Sequence, residues 1–135
     1  MHEWALAESI LAAAEKTATQ EHLKTVKELT INLGELQQID RGILRFALKA
    51  LADEHPSFTK AKFVFKTEKS QFTCNVCAHT WGYKDLKKTL DATEAEAVHF
   101  IPEAALAYVR CVRCGSPDFQ ITKGRGVTLA TVKGT

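Results

Sequence analysis

The sequence has no long apolar run. ILAAAE, the longest near its start, is far short of the roughly twenty apolar residues that span a bilayer. Nor is a secretory leader expected: Glu3 and Glu8 stand where such a leader carries positive charge, and no small-residue cleavage site follows. The expected compartment is therefore the cytoplasm, where disulfides are uncommon and paired cysteines more often hold metal. A surplus of one charge is missing too. Eighteen basic against sixteen acidic residues leave a formal charge of +2, too balanced for a dedicated nucleic-acid or membrane-surface binder. There is no repeat of solenoid length and no low-complexity tract. No nucleophile sits beside a base, and there is no phosphate loop or catalytic carboxylate pair. The expectation is a protein that is not an enzyme, so that any nucleotide energy would come from a partner.

What remains is enough for one core plus a small metal-stapled module: 135 residues, 45% of them apolar. Residues 3–19 read as a helix, with Leu6, Ile10 and Ala14 at fourth-residue spacing beside Ala7, Leu11 and Ala13. The period then changes. Leu29, Ile31 and Leu33 alternate with Thr30 and Asn32, a strand that ends at Gly34. Asp40 is a candidate N-cap for a second helix carrying Ile43, Ala47 and Leu51, flanked by Leu44, Phe46 and Leu48. His55-Pro56 ends it, because the residue before proline avoids the helical region. Ala61, Phe63 and Phe65 suggest a second strand. After Pro117 strand-like composition returns, with Gly124 and Gly126 marking a turn or bulge. A last strand needs a sheet, and the simplest partner is the first α/β unit. The expected fold is α+β: a small mixed sheet with two helices, interrupted by an inserted four-cysteine, zinc-ribbon-like domain. Its boundaries fall at 1–70 with 118–135 for the first part and 71–117 for the insertion.

All four cysteines lie in that insertion, as CNVC (Cys74, Cys77) and CVRCG (Cys111, Cys114). A Cys-x-x-Cys turn brings two sulfurs to one tetrahedral ion, and two such turns complete four ligands. Gly115 suits the backbone after a ligating cysteine, where positive φ is often needed. Thirty-three residues separate Cys77 from Cys111, so the closed loop must carry structure of its own. A structural four-thiolate zinc site explains two matched pairs; redox-active dithiols and disulfides are the competing readings. Four thiolates leave no open position for water, so the site is not expected to be catalytic. Zinc held this way brings the net charge to about zero. The loop LKKTLDATEAEAVHFIPEAALAYV reads as partly helical and contains His99.

The opening MHE, the helix with LAESIL, the strand ending INLGEL and the two cysteine pairs in this order resemble the HypA/HybF family. Its members are nickel metallochaperones that mature [NiFe] hydrogenases. The resemblance covers nearly the whole chain. It implies a nickel-binding α/β part and a zinc part, with His2 as nickel ligand, Glu3 as the motif carboxylate, and Cys74, Cys77, Cys111 and Cys114 as structural zinc ligands. It also implies a GTPase partner, HypB, and delivery to the hydrogenase large subunit.

Coordination chemistry gives a separate case for nickel. The Met1 amine, the His2 backbone nitrogen and the His2 imidazole can form fused chelate rings. Nitrogen-rich, square-planar surroundings suit Ni(II) and suit tetrahedral Zn²⁺ poorly. Glu3 equally suits a helix first turn. His99 is a candidate added ligand if the loop folds back. Trp4 is expected to pack rather than bind, and Glu8 lies on a polar helix face that a GTPase would meet. His22, His55 and His79 have no companions that suggest a site. A second reading is a zinc-ribbon nucleic-acid binder, using Lys87, Lys88, Arg110, Arg113, Lys123 and Arg125 with Trp81 and Phe119 as stacking platforms. A third is a thiol redox protein. Both a monomer and a dimer swapped near residues 70 and 117 are compatible with the sequence.

Overall fold

The computed structural model describes residues 3–37, 39–87, 90–101 and 104–135, without the side chains of Leu86, Lys87, Ala95, His99, Ala105 and Leu106. It is an α+β chain with two three-stranded sheets, ordered β2-β1-β6 and β4-β3-β5. The elements run α1 (Glu3–Gln20), β1 (Val26–Gly34), α2 (Arg41–Ala52), β2 (Lys62–Glu68), β3 (Gln71–Cys74) and β4 (Thr80–Trp81). They continue with α3 (Tyr83–Lys87), α4 (Ala92–Phe100), α5 (Ala105–Tyr108), β5 (Phe119–Lys123) and β6 (Val127–Gly134). Among the described residues no helix is long and apolar enough to cross a membrane.

The first sheet is mixed. Glu35, just past β1, donates its N–H to the carbonyl of Glu68 at the end of β2. The two strands therefore finish side by side and run parallel, as a crossover through α2 requires. At the start of β1, Thr135 donates to the Thr25 carbonyl; at its end, Gly34 donates to Gly126. Numbers fall along β6 as they rise along β1, so this pair is antiparallel. β1 is central, and Thr30 is buried along with Leu29 and Ile31. Strict alternation fails there because both faces are covered.

The chain divides into two compact units. The first comprises the chain up to Asn32, Ile39–Lys66 and Thr128–Thr135. Here α1 packs on α2, burying Ala7, Ile10, Leu11, Ala14 and Ala18 from one and Leu44, Ala47, Leu48 and Ala52 from the other. Asp40 caps α2 as its position suggests: its carboxylate accepts the Ile43 N–H at 3.0 Å. The apolar face of α2 is rotated from the expected one. Leu44, Ala47 and Leu48 form the buried stripe, while Ile43 and Phe46 are 45% and 67% exposed. Apolar residues ring more than half of this helix, and only one stripe can face the core. Phe46 instead meets the edge of Trp4, ring centroids 6.1 Å apart.

The second unit comprises Leu33–Gln38 and Thr67–Val127. β3 and β4 form a hairpin with Phe72 opposite Trp81, and β5 pairs antiparallel with β3, Phe119 opposite Cys74. The strand-like tail thus supplies two strands to two sheets: β5 joins β3 and β6 joins β1. Gly124, at φ +82, starts the bend between them, and a Cβ there would strike Ser70. α4 begins with a capping box. Asp91 accepts from the Glu94 N–H at 2.8 Å, and Glu94 accepts from the Asp91 N–H at 3.2 Å. The core of the unit is small: Phe72, Trp81, Phe119, Val98 and Val109, buried Cys74 and Cys111, and Leu36 from the segment after β1.

Candidate metal centre

The two cysteine pairs meet at this core. All four Sγ atoms lie within 4.8 Å of one another. Cys74 and Cys114 are 3.6 Å apart, as are Cys77 and Cys111. Zinc–sulfur bonds of about 2.3 Å place tetrahedral sulfurs about 3.8 Å apart, close to the two 3.6 Å pairs, so these four residues can surround one such ion.

Each pair sits in the same backbone turn. Cys74 donates its N–H to the His79 carbonyl at 2.8 Å, and Ala78 returns a bond to the Cys74 carbonyl at 3.1 Å. Cys111 donates to Ser116 and Gly115 returns to Cys111, both at 2.9 Å. Inside each turn two amides point at the leading sulfur. Val76 and Cys77 donate to Cys74 at 3.4 Å; Arg113 and Cys114 donate to Cys111 at 3.4 and 3.5 Å. These dipoles favour thiolate over thiol.

The acidities follow. In Cys74 the Cys77 N–H leads and the Val76 N–H adds to it, outweighing burial, so the thiol lies below its ordinary value. In Cys111 burial pushes the pKa up. The Cys114 and Arg113 amides and the neighbouring sulfurs more than offset it, and the value falls to about 6. The Ser116 N–H favours the Cys114 thiolate, but burial and the other three sulfurs oppose it and raise its pKa to about 12. Protons alone thus leave the cluster divided. A dication removes the repulsion and lets all four sulfurs ligate.

The cluster is anchored by packing. Phe72 stacks on Trp81 at 5.8 Å and meets Phe119 edge-on at 5.9 Å. Trp81 and Phe119 are each 4% exposed, so neither is a platform for bases, which removes the stacking half of the nucleic-acid reading. Asn75 ties the first turn to the start of β5: its amide donates to the Asp118 carboxylate at 2.9 Å and its carbonyl accepts from Gln120 at 3.2 Å. Sequence reasoning missed Asn75, and also Ala78, which holds a positive φ of 64° in the place corresponding to Gly115 at 78°. The position after the second cysteine signalled Ala78; nothing local signalled Asn75.

Of the candidate nickel ligands, Met1 and His2 lie outside the described residues, as does the His99 side chain, although His99 falls within α4. Glu3 is described. Its carboxylate accepts the Asp40 N–H at 3.2 Å and joins the start of α1 to the cap of α2. Bonds from its own N–H and that of Asp40 hold its pKa below the usual carboxylate value. His79 stacks on Trp81, and His55 meets Phe58 edge-on.

A family model described as "Hydrogenase/urease nickel incorporation, metallochaperone, hypA" matches residues 1–134. The chain belongs to the HypA family. A HypA hydrogenase maturation factor of Thermococcus sibiricus is 41% identical over 133 residues, covering 98% of this chain and 96% of the relative. Another from Pyrococcus abyssi is 39% identical, covering 98% and 95%. The solution structure of the nickel metallochaperone HypA from Helicobacter pylori superposes with a TM-score of 0.68 over 99% of this chain and 97% of that one. A second HypA solution structure gives 0.70 over 100% and 97%. Sequence identity to these two is 20% and 21%, so they speak for the fold. HypA membership places the chain in a nickel metallochaperone family of hydrogenase maturation and gives the four-cysteine cluster a metal-binding context.

Proposed function

We propose that this protein carries Ni(II) as cargo and passes it, with the GTPase HypB, to the large subunit of a [NiFe] hydrogenase. Nickel sits at the Met1 amine, the His2 backbone nitrogen and the His2 imidazole. Glu3 and His99 are further candidate ligands. Cys74, Cys77, Cys111 and Cys114 hold zinc, which supplies a closed, redox-inert crosslink and no reaction step. The first unit is then the nickel-binding part and the second the zinc-binding part, in the cytoplasm. The observation that carries this reading is a nickel-incorporation family match over residues 1–134 in a chain whose four sulfurs fit one tetrahedral ion. The chemistry sorts the two ions: nitrogen donors in a plane favour nickel, and thiolates in a tetrahedron take zinc.

Native mass spectrometry of untagged protein supplied with both ions is expected to give one zinc and one nickel per chain. One residue added before Met1, or His2→Ala, is expected to abolish nickel binding and leave zinc in place. Unchanged nickel affinity in either removes the terminal chelate. Protons compete for an amine of ordinary pKa about 7.7–8.0 and an imidazole of about 6.5, so nickel is released as pH falls through roughly 6 to 7. Titrating His99→Ala and Glu3→Gln with nickel decides the remaining ligands: full affinity with an unchanged spectrum excludes that side chain.

A further inference from the structure

The nickel donors proposed for this chain belong to Met1 and His2, and α1 begins at the next residue, Glu3. What fixes the first turn of α1 therefore also fixes the chain that leaves the chelate. Core packing does not reach this turn. The first buried residue of α1 is Ala7, and Trp4 is 45% exposed. A helix end without buried side chains frays readily, because its first N–H groups have no intrahelical partner.

Two contacts hold the turn, and both lead to the N-terminal half of α2 within the same unit. The Glu3 carboxylate accepts the Asp40 N–H at 3.2 Å. One residue on, the Trp4 ring meets Phe46 with centroids 6.1 Å apart and planes at 81°, the edge-to-face arrangement that aromatic rings favour. Phe46 adds little to the core. It is 67% exposed, on the side of α2 opposite the buried Leu44 and Leu48. Its ring contact is with Trp4, so the pair joins the two helices at their surface, beside the chain terminus that carries the donors.

We propose that Trp4 and Phe46 are positioning residues for nickel: their ring contact pins the first turn of α1 to α2 and so holds Met1 and His2 ready for the ion. Ordering a chain around a ligand costs conformational entropy. A turn anchored beforehand has already lost that freedom, so less is lost on binding. The inference rests on the nickel reading, and adds to it two rings that offer the ion no donor atom.

The test measures nickel loss from the full-length, zinc-loaded protein after addition of excess chelator, followed by the visible absorption of the bound nickel. Phe46→Ala and Trp4→Ala are each expected to speed nickel loss about three- to tenfold, the worth of one aromatic pair. The double variant should do no more than either single one, because the two rings make one contact. Phe46→Tyr keeps a ring in place and should keep the wild-type rate. Zinc content and the folded fraction at the assay temperature should not change in any of these variants, which separates positioning from a general loss of structure. His2→Ala, run alongside, separates the two readings. Loss of nickel binding in His2→Ala together with wild-type rates in both alanine ring variants overturns the positioning role alone. Full nickel affinity in His2→Ala overturns the chelate on which it rests. Nickel loss from Phe46→Tyr as fast as from Phe46→Ala also overturns the ring contact.

Discussion

Residues 74–79 and 111–116 trace the same turn with different closing residues. Each leading cysteine receives two amide hydrogen bonds on sulfur, and each turn closes back onto its carbonyl. The first turn joins β3 to β4 and places Ala78 at φ 64°; the second lies between α5 and β5 and places Gly115 at φ 78°. A left-handed alanine costs about 1–2 kcal/mol, which glycine avoids. The hairpin around the first turn, with Thr73 opposite Thr80, imposes that cost through its pairing. The second turn has strand pairing on one side only and uses the residue that needs no such support. One metal geometry is thus reached by tertiary constraint in one turn and by local backbone freedom in the other.

The hardest way to break this likeness is to remove a leading sulfur. Structural zinc contributes on the order of 10 kcal/mol to the folding of small metal modules. Cys74→Ser and Cys111→Ser are each expected to abolish zinc binding and disorder the second unit, read as zinc per chain and loss of the near-ultraviolet signal of Trp81. Retention of one zinc per chain in either variant contradicts a four-sulfur site.

Smaller effects separate the closing residues. Gly115→Ala should destabilise the zinc-loaded protein by about 1–2 kcal/mol. Ala78→Gly should stabilise it by about 0.5 kcal/mol, because relief of the left-handed alanine is partly offset by greater freedom of the unfolded chain. Chemical denaturation of both variants measures this, and a destabilised Ala78→Gly would show that the hairpin removes the strain. Smallest is the clasp that only the first turn possesses: Asn75→Ala gives up bonds to Asp118 and Gln120 and should cost about 1 kcal/mol, whereas Val112→Ala at the matching position should cost less.

Much of this was legible because short-range rules suffice for it. The Asp40 cap, the strand ending at Gly34, the paired cysteines and the positive φ of Gly115 are each set by a few neighbouring residues. The orientation of α2 was not, because Ile43, Phe46 and Leu44 are equally apolar and tertiary packing chooses among them. Nor was the partner of β5: FQITK has the same strand character whichever sheet receives it. Asn75 was silent because its partners lie more than forty residues away in the chain.

Leu36 is fully buried in the core beside Cys74 and Cys111, yet it arrives with the short stretch between β1 and α2. An engineer who cut out the cysteine-bearing segment as a cassette would leave this plug behind and open a leucine-sized hole in that core. A working transplant must carry the Leu33–Gln38 peptide along, stitched in by a new linker or supplied as a separate strand.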